Sequence, residues 1–117
     1  FRLMASSPTA QTGLVPVPYD FDYSGFVNAP YALPPEGIPV SSVRDRRYRD
    51  YCVHNAQAIQ VAAEFRAKRP ELMAVLGSIP QLEEGRRRNA AAYLESFFRD
   101  IATDESVAKR VLKTCLR

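Results

Sequence analysis

Tryptophan is absent from this 117-residue chain, histidine occurs once and cysteine twice. Each scarcity closes a class of chemistry. A structural zinc site takes about four Cys, His or carboxylate ligands at characteristic spacing, and Cys52, Cys115 and His54 are too few and show no C-x-x-C pattern. His54 falls inside a helical pattern, with neither a Gly-x-Ser-x-Gly elbow nor a Cys–His pair at reactive spacing, so no nucleophile–base triad can be assembled. No apolar run approaches the roughly 18 residues of a membrane span, and no basic-then-apolar leader opens the chain. Internal repeats and low-complexity tracts are also missing. What is present, 46% apolar and 25% charged residues, fits one soluble globular domain with a modest core. The chain opens on Phe1, already in strand-like sequence, and reads as a processed or truncated piece of something longer.

Charge is unevenly divided. Residues 1–40 hold Arg2 against Asp20, Asp22 and Glu36, a balance of −2, whereas 41–117 hold fifteen Lys/Arg against ten Asp/Glu, a balance of +5. The positive charges are interleaved with acids at helical spacing (Arg44, Asp45, Arg46, Arg47, Arg49, Asp50), the pattern of a solvated face with local ion pairs. The run Arg86-Arg87-Arg88 reads as one solvated helix turn. Together these arginines are the strongest pointer to a polyanion, and the interleaving disfavours nucleic acid as a partner.

The pattern along the chain predicts an α+β, mainly α protein in three stretches: a β-hairpin over 1–27, a long Pro-rich loop over 28–41 and a helical region over 42–117. FRLMA and LVPVPY read as strands around the turn formers SSPTAQTG. Pro16 and Pro18 cannot donate to a ladder, which confines the second strand to an edge. Pro30, Pro34, Pro35, Gly37 and Pro39 make the next stretch an extended loop, of a length often found docked on a partner. Ser42-x-x-Asp45 resembles a capping box and starts a helix that breaks near His54-Asn55, where Asn55 caps a segment running to Lys68. Pro70 opens a short helix that Gly77 closes. Ser78-Ile79-Pro80-Gln81 starts the longest helix, with Leu82, Ala90, Tyr93, Leu94, Phe97, Phe98 and Ile101 on its inner stripe. Asp104 caps a last helix whose inner face carries Val107, Val111, Leu112 and Cys115.

Within PVPYDFDYSGF, Asp20 and Asp22 stand one residue apart in an apolar, aromatic run. An alternating strand would place both carboxylates on one face, where they need compensation. Solvent and a Tyr-Ser-Gly turn are one account, since Asp is a natural first turn residue. A metal ion is the other. Strand, loop, strand and an acidic pair at the exit is the layout that delivers a carboxylate to Mg²⁺ and nucleotide phosphates in kinase-like enzymes, and Mg²⁺ needs only one or two carboxylates beside phosphate and water oxygens.

Residues 16–52, PVPYDFDYSGFVNAPYALPPEGIPVSSVRDRRYRDYC, resemble the C-terminal part of a group of uncharacterised bacterial proteins similar to the CotH-like atypical protein kinases. The helical remainder agrees only in general layout. The resemblance implies a kinase C-lobe-like fold, with Asp20-Phe21-Asp22 standing where classical kinases carry D-F-G. It further implies Mg²⁺ and ATP as cofactors held through Asp20 and Asp22, with Asn28 and Tyr31 shaping the following loop. The nucleotide lobe, the phosphate-binding lysine and the catalytic-loop acid of such proteins have no counterpart in the chain. The expectation is a portion of a kinase-like protein that is not active alone and whose partner is the missing N-terminal part of the same protein. The alternative is a non-catalytic helical interaction module whose Pro-rich loop docks on another protein, and polyanion binding by the basic helices is a third reading.

Cys52 and Cys115 read as facing residues of the first and last helices, either two buried thiols or one long-range disulfide. The resemblance implies an exported or periplasmic protein, a setting in which a bridge persists.

Overall fold

The computed structural model describes residues 2–4 and 14–117. Two short strands, β1 (Arg2–Met4) and β2 (Val15–Val17), lie antiparallel with Leu3 opposite Pro16. The loop expected between them falls outside the described residues. All of β2 is exposed, and the chain is mainly helical.

From Pro18 to Asp50 the described backbone holds turns and extended stretches without a helix. The helix expected from Ser42 does not form, although the capping-type bonds do. Asp45 Oδ2 accepts from Ser41 N at 2.8 Å and Ser42 N at 3.0 Å, and Arg44 N donates to Ser42 Oγ at 3.1 Å. They close one turn and stop there. Long-range contacts then draw the chain out: the Arg46 guanidinium donates to Ser96 Oγ at 2.7 Å, and Asp50 and Cys52 pair with the chain's end, with Leu116 N donating to Asp50 O at 2.9 Å and Cys52 N to Leu116 O at 2.8 Å.

A 3₁₀ turn, Cys52–His54, leads into α1 (Asn55–Ala67). His54, not Asn55, occupies the N-cap position, and the Asn55 amide nitrogen turns to Cys115 Sγ at 3.7 Å. α2 (Arg69–Gly77) carries Pro70 in its first turn, where the missing N–H costs no hydrogen bond.

The longest helix, α3, spans Glu84–Asp100 and so begins later than the Ser78 box suggests. Ser78 instead closes α2, its hydroxyl donating to Val75 O at 2.7 Å. Arg87 holds the loop between the two helices: its guanidinium donates to the carbonyls of Leu76, Ile79 and Leu82, the last two at 3.0 Å. Its side chain is 24% exposed against 74% for Arg86 and 72% for Arg88. The middle arginine of the run is therefore a structural donor, contrary to the solvated turn read from sequence.

Thr103 rather than Asp104 caps the final helical segment, exchanging hydrogen bonds with Ser106 in a capping box. The segment runs as α4 (Asp104–Ser106), then a wide π turn over Val107–Val111 and a 3₁₀ turn over Leu112–Thr114. Leu112 N–H bonds to Val107 O, a five-residue step that lets two apolar side chains five apart share the inner face.

Ala62 of α1, Phe98 of α3, and Ile101, Val107 and Leu112 beyond it form the core cluster. Of the paired phenylalanines, Phe98 is buried and Phe97 is half-buried, packing edge-on to Phe65 at 5.6 Å and Phe98 at 5.3 Å between centroids. A disulfide joins Cys52 to Cys115 with Cα atoms 5.0 Å apart. The cysteines are not on facing helices. Cys52 opens the 3₁₀ turn before α1 and Cys115 follows the last turn in extended conformation, next to a parallel bridge between Tyr51 and Leu116.

Arg87→Ala is expected to destabilise the fold by about 1 to 3 kcal/mol, since three carbonyls, two of them partly buried, lose a charged donor, whereas Arg86→Ala stays within about 0.5 kcal/mol of wild type. Matched thermal melts of the two variants check this, and equal midpoints would overturn the role given to Arg87. Replacing both cysteines with serine is expected to lower stability by about 4 kcal/mol, the loop-closure contribution for a separation of 63 residues. Denaturant titration with and without reductant measures it.

Candidate functional site

The acidic pair sits on an exposed arm rather than a strand face. β2 ends at Val17, and Asp20 adopts a left-handed backbone, φ 55°. That breaks the alternation which would have put both carboxylates on one face. Aspartate tolerates this conformation because its short side chain bonds locally, and Asp20 Oδ1 accepts from Asp22 N at 3.4 Å. The Tyr-Ser-Gly turn follows: Ser24 N bonds to Phe21 O at 2.9 Å, Val27 N to Ser24 Oγ at 3.2 Å and Asn28 N to Ser24 O at 3.0 Å. Asn28 takes a second left-handed position, φ 51°, and redirects the chain. It brings Tyr31 back, where the phenol donates to Asp22 Oδ2 at 3.2 Å and its ring meets Tyr23 edge-on at 6.1 Å. The hydrogen bond to Asp22, and then the carboxylate's charge, raise the Tyr31 phenol above its ordinary range.

Ten large apolar side chains between Leu14 and Leu33 are exposed, Leu33 at 73% and Tyr23 at 61% among them. The arm is nonetheless fixed to the helical body around Gly25. Gly25 lies so close to it that a Cβ there would overlap the Val43 carbonyl and the Tyr93 hydroxyl. The Gly25 carbonyl accepts from Arg44 Nε at 3.2 Å, and the neighbouring Phe26 ring lies 6.3 Å from Tyr93. Around the Tyr93 ring stand the guanidinium carbons of Arg44 and Arg46, 4.6 Å and 4.7 Å from its centroid. Tyr93 hydroxyl also donates to Arg44 O at 3.3 Å, and Arg46 continues to Asp100 at 3.3 Å.

Two arginines that the sequence groups as polyanion candidates are therefore engaged inside the fold, as is Arg87. Arg86 and Arg88 lie near Glu83 and Glu84, at 3.7 Å and 3.9 Å. Gly25, Arg44 and Tyr93 were not recognisable as a latch. The glycine behind a turn was the visible signal, but its tight approach to residues 43 and 93 is a tertiary fact.

Neither Asp20 nor Asp22 meets a cationic side chain among the described residues. Nor do three potential metal ligands gather among these residues. Two exposed carboxylates suit a hard cation that takes its other oxygens from water and phosphate, and Asp22 would share one oxygen with Tyr31. Cys52 and Cys115, being bridged, offer no thiolate. No helix of the described residues is long and apolar enough to cross a membrane.

Asp22→Asn is expected to bring the Tyr31 phenol back down toward an ordinary value, because the charge that disfavours phenolate is gone. The native phenol is the raised one, so any stability it contributes is present below the unfolded tyrosine range and lost as pH rises through the folded value. A pH titration of ring-labelled tyrosine by NMR follows it, and an unmoved Tyr31 would exclude the contact in solution.

Comparison with family models, curated proteins and solved structures returns no match to this chain.

Proposed function

We propose that the chain is a binding module, not a catalyst by itself, and that its working surface is the acidic, aromatic arm of residues 14–33. The observation that carries this is the exposure of ten large apolar side chains in one segment beside two carboxylates that meet no cationic side chain among the described residues. Contiguous apolar surface on this scale marks contact sites. The Gly25–Tyr93 latch reduces the entropy lost when the arm binds, since one point is already fixed. Complementarity asks for a partner surface that is apolar with basic residues at its edge.

A second reading follows from the left-handed Asp20 and its carboxylate. In the kinase-like setting suggested by residues 16–52, the partner surface is the nucleotide-binding part of the same protein, and Asp20 and Asp22 face its nucleotide. Mg²⁺, when bound there, would neutralise and orient phosphate oxygens. The chain's own share is to hold the two carboxylates: the turn at Ser24 and the Tyr31 hydroxyl fix Asp22, and the backbone of Asp22 steadies Asp20.

Hydrogen exchange and nucleotide titration on the full-length protein separate the two. Protection of residues 14–33, lost on Phe21→Ser with Tyr23→Ser, supports the docking arm. A drop of at least about tenfold in Mg²⁺-dependent ATP affinity on Asp20→Asn or Asp22→Asn adds the kinase-like role. Unchanged nucleotide affinity in both variants removes that role, and an arm that exchanges freely in the full-length protein removes the docking surface as well.

A further inference from the structure

We propose that a cleft on the helical body, away from the arm, binds an amphipathic anion: a small molecule with an apolar portion carrying a phosphate or carboxylate. The cleft has a volume of about 520 Å³, within the usual range of small-ligand sites. Tyr48, Phe97, Ile101 and Val111 supply its apolar lining, and cations reach its edge from two separate stretches, Arg46 and Arg47 on one side and Arg110 and Lys113 on the other.

The two carboxylates in the same lining are already engaged. Asp45 accepts from the backbone of Ser41 and Ser42, and Asp100 is shared by Arg46 at 3.3 Å and Arg110 at 3.6 Å. Arg47 and Lys113 have no acidic partner among the described residues. A merely solvated basic run looks different: at Arg86 and Arg88 each cation has a glutamate within reach three or four residues earlier in the chain. Here unneutralised cations from distant parts of the chain converge over an apolar surface. That is the arrangement an anion with an apolar body complements, arginine offering a planar fork to its oxygens and lysine a point charge.

The same four lining residues also border a second groove, of about 340 Å³, which provides an internal control. Its ionisable rim is Asp50 and His54, and no lysine or arginine lines it. An anionic ligand therefore selects the first cleft, whereas a purely apolar one has no reason to.

Amide NMR titration with octyl phosphate, on the protein with its disulfide intact, tests the proposal. Saturable shifts are expected over residues 39–48 and 110–114, with 1-octanol and inorganic phosphate each binding far more weakly. Arg47→Glu and Lys113→Glu, both at exposed positions, should each weaken binding by about tenfold, the loss of one charge-assisted contact. Shifts confined to residues 57–65, equal binding of 1-octanol, or unchanged affinity in both variants would overturn it. Vesicles of phosphatidylglycerol and phosphatidylcholine identify the source. Co-sedimentation lost in the double variant assigns a membrane lipid, and octyl phosphate binding without co-sedimentation assigns a free amphiphile.

Discussion

Cys52 and Cys115 close the helical body at a single seam, and the packing inside it is small. The central cluster has five buried residues, and among the described residues no polar or charged residue is fully buried with them. A domain of this size leaves much of its apolar surface in water and has little stability to spare. The seam acts on the other side of the balance, by removing conformations from the unfolded chain. With the ends tied, α1, α3 and the final segment can meet around Val107, which is 1% exposed. The backbone bonds linking Asp50 and Cys52 to Leu116 extend the same closure without sulfur.

Outside the seam the chain behaves differently. The body uses many of its charged groups internally: Arg44 and Arg46 at Tyr93, Arg66 at Asp104, Arg69 at Glu95, Arg87 over the loop it spans. The arm before it keeps ten large apolar side chains exposed, and among the described residues its two aspartates meet no cation. A protein that satisfies itself in one half and not in the other has its unfinished contacts in the second half. Gly25 is the joint, and its lack of a side chain is what lets the backbone reach Tyr93.

Elements governed by local chemistry were legible in the sequence. Pro70 and Gly77 bracket α2, α1 ends next to the expected Lys68, and the stripe through Phe98 and Ile101 faces the core. Features set by distant residues were not. Ser42-x-x-Asp45 forms its local bonds, yet Arg46 and the pairing to Leu116 draw the following chain away from a helix. Ser78-x-x-Gln81 looks like a start, yet Arg87 organises that stretch as a loop. In the candidate site, the acidic pair could be named from residue type and Tyr31 only through the resemblance, but not the left-handed turn at Asp20 that takes the pair off a strand. The latch was invisible because its partners lie about twenty to seventy residues apart, and no local pattern encodes contacts of that span.

The parallel bridge between Tyr51 and Leu116 also has a mechanical meaning. The helical body is entered and left at one place, so it hangs from the chain as a closed loop. Pulled from outside the bridge, the chain first strains the contacts of Gly25, Arg44 and Arg46 with α3. Once those part, the load passes through one sulfur–sulfur bond and the short backbone beside it, and the loop that holds α1 to α4 is spared.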